Sequence, residues 1–360
     1  MIRGITISAC VIMRDEEENI GDCLQSLVGN VDEILVVDTG SQDRSMEVAR
    51  RFTEKVYSYA WQDDFAAAKN FALDKAGGEW IVFLDSDEYF SSGTRGNIRA
   101  AVDGHAVSYD ALMVPMTNID RDRDNLPMDD FFSLRIFRHD PALRYVGAVH
   151  ESLKFLDGHR QRWDYLSPET LKLYHTGYSS GRRQRKSERN LAILLTEQRK
   201  NPGKRFLNRY LADAYIGLRD FANAARCARL EIEQNDPPAT DASRPYHVLY
   251  DSLRAMEASG EERAAVLEMG MKAFPKLPDF FAEYGVLLYE RGKYNKALTY
   301  FLKAEALHAR YRDTREFCLL TKSLPVMFGL IADIYARRGD KHRAALYDRK
   351  SKMVQVPLRA

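Results

Sequence analysis

One stretch limits the possible architectures more than any other. Trp80-Ile81-Val82-Phe83-Leu84 runs without a polar residue straight into Asp85-Ser86-Asp87-Glu88. Such a run reads as a strand buried on both faces, as in a parallel sheet with layers on either side. Strand side chains alternate faces, so strand geometry continued past Leu84 would point Asp85 and Asp87 the same way. Two carboxylates at the carboxyl edge of a buried strand are costly to desolvate without a cation or strong donors. That edge is also where open α/β sheets bind ligands. A hard divalent ion bridging to phosphate oxygens suits such a pair. A solvated Asp-Ser turn is the plainer alternative.

The flanking sequence agrees with a parallel sheet. Strands are expected over 5–13, 34–38 and 56–59, alternating with helices over 19–27, 45–52 and 65–76, and later strands over 111–116 and 134–137. This alternation argues for a mostly parallel α/β sheet covered by helices. From about Lys186 onward strand-like runs vanish. Phe281, Gly285, Gly292, Ala297, Phe301 and Ala304 fall at the offsets of a tetratricopeptide unit, and Phe328, Ala332, Tyr335, Gly339 and Ala344 repeat them. Weaker copies start at Ala212, Tyr215 and Ala224 and at Met256, Gly260 and Ala265. Arrays of this kind form concave surfaces that bind peptides or pair with a second copy. Between the halves, Gly181-Arg182-Arg183-Gln184-Arg185-Lys186 reads as a solvated basic linker or as a loop closing over a diphosphate.

Composition removes several classes. A formal net charge of +1 gives no electrostatic footprint for nucleic acid. No apolar run reaches the roughly 18 residues that a membrane span needs. The opening apolar stretch leads into Arg14-Asp15-Glu16-Glu17-Glu18 without a small-residue cleavage site, so it reads as a strand. Cys10, Cys23, Cys227 and Cys318 lie far apart with no metal spacing, which suits a reducing cytoplasm.

Several motifs occur in order: Val11 to Ile20, Asp32 to Asp43, Trp61 to Asn70, and Trp80 to Glu88. The series resembles the family-two glycosyltransferases, which have a nucleotide-sugar-binding GT-A fold. It most resembles the subgroup of core-oligosaccharide glucosyltransferases and peptide S-glycosyltransferases, some of which carry C-terminal tetratricopeptide helices. The resemblance covers about residues 5–178. It implies a GT-A catalytic domain over 1–180, a basic linker over 181–204, and an all-α repeat domain over 205–360.

The resemblance also implies roles. Asp38 would accept hydrogen bonds from a uridine-type nucleotide, since a buried carboxylate there has no other obvious partner. Glu16 and Asp64 would line the same pocket. Lys69 and Asn70 look like the family's Arg-Asn pair near the donor, with Lys losing the bidentate fork. Asp15 stands where the family often has Asn. Asp85 and Ser86 would face the donor. Asp87 would bind Mn²⁺ or Mg²⁺ bridging the donor phosphates, with His175 of the Leu173 to Tyr178 stretch as a further ligand. In Gly147-Ala148-Val149-His150-Glu151, Glu151 is expected to be the catalytic base, with Asp129 and Asp130 as rivals. His150 would orient that base or approach the metal.

The leading expectation is therefore a metal-dependent inverting glycosyltransferase. It would move a sugar from a nucleotide sugar, of UDP type, to a peptide, protein or glycan. Its repeats would favour a polypeptide acceptor and allow a homodimer. The alternative is a non-catalytic repeat scaffold with a degenerate sugar-nucleotide domain. P-loop and dinucleotide enzymes are excluded, because neither G-x-x-x-x-G-K-[ST] nor G-x-G-x-x-G follows the first strand.

Overall fold

The computed structural model describes residues 4–177, 183–204, 206–234, 241–313, 316 and 318–353. Contacts divide the chain into two compact units, 1–193 and 194–360.

The first unit begins with β1 (Ile7–Met13), α1 (Ile20–Leu27), β2 (Glu33–Asp38), α2 (Ser45–Ala49), β3 (Val56–Ser58), α3 (Phe65–Lys75) and β4 (Trp80–Asp85). These elements fall where the apolar runs and amphipathic patterns put them. There follow β5 (Glu88–Phe90), α4 (Ile98–His105), β6 (Ala111–Asp120), β7 (Leu126–Arg138), β8 (Leu143–Val146), β9 (Ser152–Phe155), β10 (Trp163–Tyr165) and β11 (Leu173–His175). The main sheet has the order β3-β2-β1-β4-β7-β6-β11-β5, with β10 also paired to β6. Five of its pairings are parallel, and β7 and β5 bring the antiparallel ones. The sheet is thus mixed, with the parallel part first. β8 and β9 form a separate hairpin.

Alternation along β1 builds a core on each face. Ile7, Ala9, Val11 and Met13 join Ile20, Leu24, Val102 and Leu173 in one cluster, while Cys10 and Ile12 join Ala72, Leu73, Phe83 and Tyr145 in the other. At 25 cal/mol per Å² this two-sided burial is the main source of the unit's stability. Met13 lies beside Asp38, and Ile12 beside Asp85. The carboxyl ends of β1, β2 and β4 therefore share one edge. The order 3-2-1-4 reverses between β1 and β4, which opens a crevice there.

Helix α5 (Arg183–Lys200) starts in the first unit and ends in the second. The basic run is therefore helical from Arg183 on; Gly181 and Arg182 lie outside the described residues, as do the side chains of Arg183 and Arg185. The second unit continues with α6 (Leu207–Gly217), α7 (Phe221–Gln234), α8 (Arg244–Ala255), α9 (Gly260–Ala273), α10 (Asp279–Glu290), α11 (Tyr294–Arg310), α12 (Leu320–Arg337) and α13 (Lys341–Met353). Consecutive helices pack on each other. The small and aromatic repeat positions meet as expected: a β-carbon on Gly285 would stand 2.6 Å from the Phe301 ring, and Phe281, Ala297 and Ala304 are buried around it. Gly292 and Gly339 take left-handed turns at φ 69° and 76°, which end α10 and α12. Among the described residues no helix is long and apolar enough to cross a membrane.

Candidate active site

The two loops that follow β1 and β2 are joined side chain to backbone. Asp15 Oδ1 accepts from the Gln42 amide (2.6 Å), Glu17 Oε2 from the Arg44 amide (3.1 Å), and Asp43 Oδ2 from the Glu17 amide (3.0 Å). Ser41 and Ser45 hydroxyls accept from the Asp15 and Glu16 amides. Asp38 is 3% exposed, and its carboxylate accepts from the Gly40 and Ser41 amides at 3.1 and 3.2 Å. That corrects the expectation that it lacks a partner in the protein: it closes its own turn. Glu16 is half-buried and accepts from the Asn19 amide group (2.6 Å) at the entry to α1. Asp64 caps α3, accepting from the Ala67 amide at 2.9 Å.

Strand geometry stops at Asp85, and Ser86-Asp87 form a turn before β5. Asp85 and Asp87 therefore do not share a strand face, and each meets a different cation. Asp85 Oδ1 pairs with Lys69 Nζ at 2.9 Å, and its Oδ2 with Arg135 at 3.1 Å. Lys69 is 2% exposed and pairs at 2.6 Å with Glu151 Oε1. Its ammonium also lies over the Phe83 and Tyr145 rings, at 5.2 and 5.3 Å. Arg135 holds Glu88 through a two-point pair, at 2.7 Å through Nε and 2.5 Å through Nη2. One chain of charges thus runs Glu151–Lys69–Asp85–Arg135–Glu88. Burying an ammonium costs several kcal/mol unless partners repay it. For Lys69 burial acts to lower the pKa, and Asp85 and Glu151 outweigh it, so the amine stays charged. For Asp85 burial acts upward, but Lys69 and Arg135 bring its carboxyl down to about 2.

Asp87 faces His175, with Oδ2 at 3.3 Å from Nε2. His175 ends β11, and Asn118 of β6 contacts its other nitrogen at 2.6 Å. Burial acts to raise the Asp87 pKa, yet His175 and Lys186 hold it well below the usual carboxylate range. A β-carbon on Gly177 would overlap Asp87 Oδ2 and stand 2.5 Å from His175 Nε2 and 3.1 Å from Lys186 Nζ. Only glycine lets the backbone come this close.

Mn²⁺ or Mg²⁺ can be tested against these donors. If Asn118 oxygen accepts from Nδ1–H, Nε2 turns its lone pair toward Asp87, and two acceptors keep that distance only with a proton or a cation between them. One carboxylate oxygen and one imidazole nitrogen suit Mn²⁺ better than Mg²⁺. Among the described residues no group of three or more acidic, His or Cys side chains gathers as a complete protein cage. Asp87 and His175 therefore fit an ion that takes its other ligands from water or a substrate.

The remaining expected residues part company. Asn70 turns away from the charges: its amide nitrogen donates to the Tyr145 carbonyl and its oxygen accepts from the Tyr145 amide, both at 2.9 Å. This clasp holds β8 to α3 and engages both ends of the side chain, which gives Asn70 a structural role. Ser86 is buried in the turn. His150 is exposed at φ 53°, and the imidazole that faces Asp87 is that of His175, as expected for the further ligand. The Asp129 side chain lies outside the described residues, and Asp130 accepts from the Thr117 hydroxyl at 2.5 Å. Sequence reasoning passed over Arg135, Asn118 and the pairing role of Glu88, and it read Lys186 only as part of a basic run that closes over a diphosphate or stays solvated. The signal for Arg135 was present: an arginine inside Leu134-Arg135-Ile136-Phe137 has to meet a buried acid.

A mixed α/β sheet carries charged groups at the carboxyl edge of its parallel part, and paired helices follow it in the chain. Residues 8–152 match the Glycosyl transferase family 2 signature. A TPR repeat-containing protein of Synechococcus elongatus is 30% identical over 280 residues, covering 75% of this chain and 68% of that one. The SPbeta prophage-derived glycosyltransferase SunS of Bacillus subtilis is 30% identical over 196 residues, covering 54% of this chain and 44% of its own length. The lipopolysaccharide core biosynthesis glycosyltransferase LpsC of Rhizobium meliloti is 28% identical over 99 residues, covering 26% and 36%. Among solved structures, Staphylococcus aureus TarS overlays 73% of this chain and 52% of its own at a TM-score of 0.39 with 17% identity. The chain carries a family 2 glycosyltransferase domain over residues 8–152, followed by a C-terminal tetratricopeptide region.

Proposed function

We propose that this chain is a metal-dependent inverting glycosyltransferase. It transfers a sugar from a nucleotide sugar, of UDP type, to a peptide, protein or glycan. The observation that carries the reading is Lys69, which fixes Asp85 and Glu151 on one buried ammonium beside the Asp87–His175 pair. Asp87 and His175 hold the ion. Bound there, Mn²⁺ or Mg²⁺ supplies positive charge for the departing diphosphate. The edge formed by Glu16, Asp38, Asp64 and Asp85 faces the nucleotide and its sugar. Glu151 keeps Oε1 on Lys69 and offers Oε2 to the acceptor proton. As the acceptor attacks the anomeric carbon from the face opposite the diphosphate, the carbon–oxygen bond to phosphate breaks and its electrons leave on the nucleoside diphosphate. The proton ends on Glu151. The helical half presents the acceptor; similarity to LpsC, a lipopolysaccharide core biosynthesis glycosyltransferase, keeps a glycan acceptor beside a polypeptide one.

Calorimetry with UDP-sugars tests the reading, with Mn²⁺ and then with chelator. Asp87→Asn is expected to remove the metal-dependent part of donor binding. Glu151→Gln is expected to bind donor normally and to lose transfer by at least about a hundredfold, the lower range for a general base. Donor binding indifferent to metal, or a Glu151→Gln enzyme with full transfer, defeats this assignment.

A further inference from the structure

Helix α5 brings a cation to Asp87 that the acidic cluster does not itself contain. Lys186 Nζ stands 3.1 Å from the place a Gly177 β-carbon would take, and Asp87 Oδ2 and His175 Nε2 crowd that same place. Behind His175, the Lys186 charge also helps to hold the Asp87 carboxyl down against burial. One turn further along the same helix, Arg189 lies over the Phe65 ring at 4.9 Å, within electrostatic reach of Asp87, Glu16 and Asp85. Arg14 adds a like charge to that group. Lys186 is partly exposed on a flexible stem, whereas Lys69 is enclosed between its two carboxylates. Of the two lysines only Lys186 can leave its carboxylate without stranding a buried charge.

We propose that Lys186 is an exchangeable counter-cation for Asp87. Its ammonium neutralises Asp87 while the divalent ion is away, and swings to the nucleotide diphosphate once the ion has taken Asp87. The inference rests on the proposed function, since it needs Asp87 to be a metal ligand. It follows from elementary electrostatics. An ammonium and a divalent ion compete for one carboxylate, but both are attracted to a diphosphate. Lys186 should therefore oppose metal binding in the empty enzyme and favour nucleotide binding in the metal-loaded one. A residue that merely supports the fold has no reason to act with opposite signs on the two ligands.

The full chain is titrated with MnCl₂ alone, and with UDP in saturating MnCl₂, as wild type, Lys186→Gln, Lys186→Arg and Asp87→Asn. Lys186→Gln is expected to bind Mn²⁺ alone about fivefold more tightly, the equivalent of one partly exposed ion pair, and UDP about fivefold more weakly. Lys186→Arg is expected to restore both values toward wild type. Mn²⁺ affinity of Lys186→Gln equal to or below wild type overturns the exchange. So does a UDP affinity that does not fall. If Asp87→Asn binds Mn²⁺ as wild type does, or wild type binds none, the metal reading fails and the exchange with it. If Asp87→Asn loses Mn²⁺ while Lys186→Gln is unchanged, only the exchange fails.

Discussion

Asp85 in the α/β half is partly buried and Asp279 in the helical half almost wholly so, and the two halves treat them in opposite ways. Asp85 stands between Lys69 and Arg135, and its carboxyl is held at about 2. Asp279 is 3% exposed at the start of α10, and its Oδ1 accepts from the Leu319 and Leu320 amides at 2.6 and 3.0 Å. Burial lifts it to about 6, because amide donors repay less than charges do. The contrast teaches that burial alone does not fix a carboxylate's charge; the groups facing it do. A carboxylate kept ionised by cations is a charged anchor for the groups around it, whereas one half-neutralised by burial is a helix-end fastening.

The largest expected effect breaks the first side of this comparison. Lys69→Met strands Asp85 and Glu151 without their shared ammonium, and should cost about 3 kcal/mol in denaturant unfolding at pH 7. Asp85 has its folded pKa below its unfolded value, so its contribution is present above about pH 4 and is lost as pH falls toward 2. The penalty of Lys69→Met should accordingly shrink on acidification, as the stranded acids take protons. A penalty under about 1 kcal/mol would mean that solvent screens this cluster after all.

The next effect has the opposite sign. Asp279 has its folded pKa above its unfolded value, so the folded chain binds more proton between about pH 4 and 6 and stability falls as pH rises through that window. Asp279→Asn keeps an oxygen for the two amides and removes the charge. It should be about 2 kcal/mol more stable than wild type at pH 8, with the difference vanishing near pH 4. A variant that is less stable at pH 8 would show that the carboxylate's charge earns its place against the first turn of α12.

The smallest effect sharpens the separation of the halves. Ser259 accepts from the Glu262 amide at 3.2 Å, while Glu262 accepts from the Ser259 amide at 3.1 Å, at the start of α9. Ser259→Ala should cost about 1 kcal/mol and leave UDP affinity within about twofold of wild type. A larger change in UDP affinity would tie this helix end to the catalytic half.

Much of this was legible in the chain itself. The apolar run ending at Asp85 gave β4, and the small-aromatic offsets from Phe281 to Ala304 gave α10 and α11. β5, α4, β8, β9 and β10 went unread, being short or lacking a clean period. The partners of Asp38 were readable but missed, since Asp38-Thr39-Gly40-Ser41 is a sequence in which an aspartate closes its own turn. Asn70 was not readable, because its partner Tyr145 lies 75 positions away. The same holds for Asn118 with His175, 57 positions apart. Long-range hydrogen bonds leave no local pattern, whereas a buried arginine such as Arg135 at least announces that an acid must be found for it.

The interlocked loops at residues 14–19 and 38–45 have a consequence for inheritance and for transplantation. Asp43 serves the amides of both Glu17 and Ser45, and Glu17 in turn serves that of Arg44. A drift at any one of these positions orphans a neighbour on the other loop, so the acidic letters there are not independent characters. A protein engineer grafting this edge onto another sheet would have to move both loops as one cassette.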